Sequence, residues 1–292
     1  MKSGYAAIIG RPNVGKSTLL NRLVGEKLAG VSSKPQTTRH GIRGILTRPE
    51  GQIVYVDTPG LHDPKDLLGE WMVGQARKFL SEVHLAYWVV FPRSPEPDDE
   101  KVLEILRSTN IPVILLINQT DRVTKPELLP VIDAYRKMYS FPEIIPISAK
   151  TGDQIELLIR KTLELLPEGE PLFPADQISD QNERFLVREM IAEKLFHFMG
   201  EELPYVTTVV LEDFKEKSGR LVSIQATIVV ERDSQKAMVI GRKGQKIKQI
   251  GQAARLDIER FLGKKVFLEL WVKTHEHWKR NQDMIRRLGY EG

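Results

Sequence analysis

The chain of 292 residues contains no cysteine. Disulfides and thiolate metal sites are therefore excluded, and the composition is compatible with a reducing cytoplasm. No run of about eighteen apolar residues occurs, so no segment is expected to span a bilayer. The opening MKSGYAAIIG holds one lysine and a short apolar run, which reads as a first strand rather than an export leader. Charge is unevenly placed. Residues 241–292 carry thirteen Lys/Arg against six Asp/Glu, a net +7 within an overall +4, so residues 1–240 sum to −3. Such a basic block suits a polyanion, either nucleic acid or a membrane surface, although a solvated basic face has the same composition. Apolar and charged fractions of 41% and 28% are those of a globular protein. At about 150 residues per domain, the length suggests two.

The strongest local signal is GRPNVGKST, residues 10–18. It follows the apolar run Ala6–Ile9 and precedes Leu19, Leu20 and Leu23 at helical spacing. Strand, glycine-bracketed loop and helix together form a phosphate-binding loop. Gly10 and Gly15 let backbone N–H groups turn toward phosphate oxygens, with Asn13, Val14 and Thr18 lining the same turn. Lys16 reaches the β- and γ-phosphates, and the Ser17 hydroxyl ligates Mg2+.

Residues 25–44, which include KPQTTRHG, show no sustained periodicity and are expected to form a long loop beside the phosphate site. The strand 52–56 then ends in Asp57-Thr58-Pro59-Gly60. An aspartate placed there can hold Mg2+, and Gly60 allows its N–H to approach a γ-phosphate closely. Helices are predicted near 67–82, 99–109, 127–139 and 155–166, alternating with strands 85–91, 112–117 and 144–147. Asn118-Gln119-Thr120-Asp121 and Ser148-Ala149-Lys150 close the last two strands. The expected fold is α/β, with a mostly parallel sheet covered by helices on both faces.

Five motifs in this order resemble the translation-factor-class GTPases, over about residues 5–167. The resemblance implies GTP and GDP as ligands, bound at Gly10, Asn13, Val14, Gly15, Lys16, Ser17, Thr18, Asp57, Gly60, Asn118, Gln119, Asp121, Ser148, Ala149 and Lys150. Asp121 would accept from guanine N1–H and the 2-amino group, which adenine lacks. Asn118 would bridge the base edge and the phosphate loop, and the Ala149 N–H would meet guanine O6. Two usual residues are missing. The family has lysine where Gln119 stands, its stem along the base and its amine tied to the phosphate loop; GTP specificity is expected to survive with modestly altered affinity. Some small GTPases have a water-orienting glutamine where Leu61 stands, so turnover is expected to be slow. Lys16, Thr38, Gly60 and Asn13 carry the catalytic expectation, with Ser17, Thr38 and Asp57 as the Mg2+ set and Thr37 as the alternative to Thr38. Resemblance suggests that Asn13 helps hold K+ near the β- and γ-phosphates; otherwise it only shapes the loop. His62 reads as a loop residue rather than a base.

Residues 168–180 hold prolines and acids and read as a linker between a domain at 1–167 and one at 181–292. In the second, a helix over 181–200 with Phe185, Met190, Ile191, Leu195 and Phe198 on one face precedes strands 205–214 and 221–231. Then comes MVIGRKGQKIKQIG. Two helical segments meeting at Gly241-Arg242-Lys243-Gly244 form the K-homology (KH) signature, a loop that clamps a few single-stranded nucleotides. Ile240, Lys246 and Lys248 complete the expected RNA site. A helix over 245–262, a strand over 266–272 and a helix over 275–288 finish a smaller α+β unit of type II KH order. Trp271 and Trp278 are either stacking platforms or packing residues.

A GTPase domain followed by this KH domain resembles the Era family of bacterial GTPases over almost the whole chain. The resemblance implies binding to the 3′ end region of small-subunit (16S) ribosomal RNA and a role in small ribosomal subunit assembly. GTP would favour an open RNA groove. A cytoplasmic monomer is implied, with peripheral association at the cytoplasmic face of the inner membrane admitted. The alternative, drawn from Gln119 and Leu61, is an RNA-binding protein whose nucleotide domain binds but does not hydrolyse.

Overall fold

A computed structural model of the chain describes residues 1–31, 39–60, 64, 66–200, 203–288 and 290. It divides into two compact units, one drawn mainly from residues 1–180 and the other mainly from 181–292.

The first unit runs β1 (Lys2–Gly10), α1 (Lys16–Val24), β2 (Ile42–Arg48), β3 (Gly51–Asp57), α2 (Leu67–Glu82), β4 (Leu85–Val90), α3 (Pro97–Arg107), β5 (Val113–Ile117), α4 (Lys125–Met138), β6 (Ile144–Pro146) and α5 (Ile155–Leu165). The sheet order is β2-β3-β1-β4-β5-β6, and only β2–β3 is antiparallel. Strands such as LAYWVV and VILLI are apolar at every position because both faces are covered. Ala7, Ile9, Trp88, Val90, Leu115 and Ile117 pack against α2, α3 and α4. On the other face, Tyr87 shares a hydrogen bond with Thr162 of α5.

Three features depart from the expected elements. The stretch expected as one loop to residue 44 contains the start of β2. Its sequence IRGILTR has little alternation, and it becomes a strand by pairing with β3. Helices α3 and α4 begin two residues earlier than expected. Pro97 and Pro126 sit in their first turns, where a missing N–H costs nothing, and Glu96 and Thr124 cap them. Finally, residues 168–180 pack along β2 and β3 as part of the first unit. Gln52 accepts from the N–H groups of Leu172 and Phe173 at 2.7 and 2.9 Å, and Arg43 pairs with Asp180 at 2.7 Å. Proline and acidic composition reads as a free tether; the side-chain amide of Gln52 that waits on β3 lies more than a hundred residues away.

The second unit runs α6 (Glu183–Phe198), β7 (Thr208–Ser218), β8 (Leu221–Val230), α7 (Asp233–Ile240), α8 (Gln245–Leu262), β9 (Lys265–Thr274) and α9 (Gln282–Arg287). The sheet is β7-β8-β9, antiparallel then parallel. Helix α6 buries Leu186, Val187 and Phe196 with Met190, Ile191 and Leu195, while Phe185 and Phe198 lie at the margin of its buried surface. The expected single helix over 275–288 is instead a 3-10 turn at Trp278–Arg280 followed by α9. His277, at φ 52°, interrupts it. Trp278 is 0% exposed and Trp271 58%, which separates the two tryptophans. Trp278 donates to the Val206 carbonyl at 3.1 Å and stacks on Tyr290, so it is a packing residue. Among the described residues, no helix is long and apolar enough to cross a membrane.

Candidate functional site

In the first unit the predicted residues converge at the carboxyl ends of β1, β3, β5 and β6, where an open parallel sheet places its ligand. The β1–α1 loop forms the floor. Gly10 passes so close to β4 that a Cβ would lie 2.4 Å from the Val89 carbonyl oxygen. Gly15, at φ 101°, would drive a Cβ to 2.4 Å from Asn118 Nδ2. Both glycines are therefore required by close approach.

Lys16 is buried at the first turn of α1, and its Nζ donates to the carbonyls of Gly10 (3.2 Å) and Arg11 (2.9 Å). Burial lowers its pKa to about 8, partly offset by Asp57. Ser17 Oγ donates to Asp57 Oδ2 at 2.7 Å. A hydroxyl and a carboxylate this close, at a helix N-terminus, are hard oxygen donors that fit Mg2+. Gly60 sits against Pro12 and Lys16; a Cβ there would lie 3.3 Å from Lys16 Nζ. Thr18 follows in the first turn of α1. Thr37, Thr38, Leu61 and His62 lie outside the described residues.

The loops after β5 and β6 are tied to this floor. Asn118 donates to the Val14 carbonyl at 2.8 Å and accepts from the Ala149 N–H at 3.0 Å. Of the bridge expected between base edge and phosphate loop, the structure shows the phosphate-loop end, and the Asn118 oxygen meets the SAK loop. The Ala149 N–H expected to meet guanine O6 is engaged by Asn118 here. Ser148 donates to Asp121 Oδ1 at 2.7 Å, leaving the second carboxylate oxygen for a base edge. Gln119 donates to the Asn13 carbonyl at 3.2 Å. The tie to the phosphate loop that the resemblance implies for a lysine at this position is made here by an amide.

Several contributors lie outside the expected set of site residues. Arg22 of α1 holds the carbonyls of Ala149 and Lys150, fixing the SAK loop. Asn21 holds Leu28 and Ala29 through three bonds to its side chain. Arg11 pairs with Glu96 at 2.6 Å and with the buried Asp99 at 3.4 Å, fastening the phosphate loop to the start of α3. The partners of Arg11 lie in the acidic stretch PEPDDE, residues 95–100.

In the second unit, α7 ends at Gly241 (φ 72°), Lys243 is left-handed at φ 49°, and Gly244 (φ 73°) opens α8. A Cβ on Gly241 would lie 2.6 Å from Lys246 Cβ. Arg242, Lys243 and Lys248 are exposed, while Ile240, Lys246 and Ile247 are half-buried beside them. The turn presents cations and backbone next to apolar side chains, a combination suited to a single-stranded sugar–phosphate chain with unstacked bases.

The first unit is thus a P-loop GTPase domain and the second a type II KH domain. The family model for a 50S ribosome-binding GTPase matches residues 5–119, and that for a KH domain matches residues 202–279. GTPase Era of Trichlorobacter lovleyi is 49% identical, covering 99% of this chain and 98% of that protein. GTPase Era of Ruminiclostridium cellulolyticum is 44% identical over the same shares. A crystal structure of a Tyr-to-Ala variant of Aquifex aeolicus Era bound to GDP.AlF4- matches with a TM-score of 0.97 at 40% identity, over 100% of both chains. A structure of Era with MgGDPNP and nucleotides 1506–1542 of 16S ribosomal RNA matches equally, with a TM-score of 0.97 at 40% identity over 100% of both chains. The chain belongs to the Era GTPase family.

Proposed function

We propose that this protein binds and slowly hydrolyses GTP at the β1–α1 loop and, through residues 240–248, binds the 3′ end region of 16S ribosomal RNA during small-subunit assembly. The observation that carries the reading is the joint presence, on one chain, of a tied guanine-reading site and a basic G-x-x-G turn of KH geometry. The relative solved with MgGDPNP and 16S nucleotides supports the RNA assignment.

Asp121, oriented by Ser148, selects guanine. Lys16 and the loop amides hold the phosphates, and Gly60 closes over the γ-phosphate. Ser17 and Asp57 would hold Mg2+, which neutralises phosphate charge when bound. Asn13 is held left-handed at φ 65° in the same loop, and K+ beside it would supply further positive charge. Single-turnover hydrolysis in K+ should exceed that in Na+; equal rates remove the ion from the scheme.

The reading as a whole is tested by crosslinking the GTP-bound protein to cellular RNA and mapping the sites. A cluster at the 3′ end of 16S RNA is expected; contacts scattered without one overturn the assignment.

A further inference from the structure

Gln119, where the family pattern has lysine, is held from both sides. Its Nε2 donates to the Asn13 carbonyl at 3.2 Å, and its Oε1 accepts from Arg122 Nη1 at 2.8 Å. The chain folds to make this contact: Arg122 N–H donates to the Gln119 carbonyl at 3.0 Å, closing a turn that brings the guanidinium back over the amide. Gln119 and Asn13 both adopt left-handed backbones, φ 66° and 65°, which non-glycine residues keep only when something holds them. The preceding residue, Asn118, bonds the Val14 carbonyl. Two successive base-loop side chains thus grip two successive phosphate-loop carbonyls.

We propose that Arg122 is a positioning residue for guanine-nucleotide binding. It supplies, through Gln119, the positive charge that a lysine would carry at position 119 itself. A cation on the amide oxygen polarises the amide and strengthens the N–H bond at its other end. Neither residue does this alone: glutamine reaches the phosphate loop without charge, and Arg122 has charge without the reach. The inference rests on the guanine-site reading. It also predicts a sign. With lysine at 119, the charge is already in place, and a second cation beside it only repels.

The test is a cycle in the full-length protein, using a fluorescent GDP analogue to measure affinity and dissociation for wild type, R122A, Q119K and the double variant. R122A should weaken binding about threefold to fivefold, through faster dissociation, the scale of the net contribution of one hydrogen bond. The melting temperature of the nucleotide-free protein should stay unchanged. In the Q119K background the same change should cost nothing or tighten binding. An equal loss in both backgrounds, or none in wild type, overturns the inference. Failure of the wild type to bind guanine nucleotide overturns instead the reading on which it rests.

Discussion

Lys16 illustrates how a single residue's burial becomes a measurable property. Its amine is buried against the Gly10 and Arg11 carbonyls, and its pKa falls from 10.5 to about 8. Phosphate binding needs the charged form. Affinity for GTP should therefore fall as pH rises through that value, and a flat titration between roughly pH 7 and 9.5 contradicts the assignment. Stability moves the other way. Between the folded and unfolded pKa values the unfolded chain holds more protons, so this group's contribution to the stability of the nucleotide-free protein rises with pH across that window. Asp121 supports a second prediction at this scale. An asparagine there keeps one acceptor and presents a donor where the 2-amino group must bind. Asp121→Asn should weaken GTP on the order of 10²-fold and improve xanthosine triphosphate, whose C2 carbonyl accepts. Competition between the two nucleotides measures it; an unchanged preference for guanine would falsify Asp121 as the base reader.

At the scale of elements, the junction of α7 and α8 depends on backbone that only glycine adopts easily. Gly241→Ala forces a Cβ against Lys246 in addition to a positive φ, and should cost about 2–3 kcal/mol and disturb RNA binding. Gly244→Ala meets nothing within 4 Å and should cost only the backbone term, about 1 kcal/mol. Thermal melts of the two variants rank them, and equal losses would remove the steric argument. The C-terminal turn gives a matching contrast. Trp278→Ala removes a fully buried ring with a bonded N–H and should cost about 3–5 kcal/mol. Trp271→Ala, on an exposed face of β9, should stay within about 0.5 kcal/mol.

For the molecule as a whole, charge and topology are divided between the units. Residues 1–180 sum to −1 and residues 181–292 to +5, with the positive charge concentrated in residues 241–292 at +7, which puts the polyanion-binding capacity at the KH end. RNA affinity should fall steeply with salt. Replacing Arg242 and Lys243 together by alanine should lower the slope of log affinity against log salt by about 1.4, or 0.7 per phosphate released. An unchanged slope would move the phosphate contacts elsewhere on the basic block.

Motif, order and period were sufficient to establish the class of both domains, because short-range patterns encode them. Glycines bracketing four residues, an aspartate at a strand end, and β-branched runs alternating with helical spacing are all constraints among near neighbours. The helix at 245–262 and the sheet's parallel character could be read in the same way. Tertiary structure decided whatever depends on a partner far along the chain. It turned the segment 168–180 from a tether into a strap on β3, distinguished Trp278 from Trp271, and cut the last helix short at His277. It also recruited Arg22 to carbonyls more than a hundred residues away and bound Gln119 to Asn13. Residue type alone cannot reveal such pairings. A glutamine in the lysine's place reads as a loss until the fold brings the distant Asn13 carbonyl to its nitrogen. The reason is physical: local propensity and hydrophobic period act between neighbours in sequence, whereas a polar side chain's role is set by whichever unsatisfied group the finished fold delivers to it.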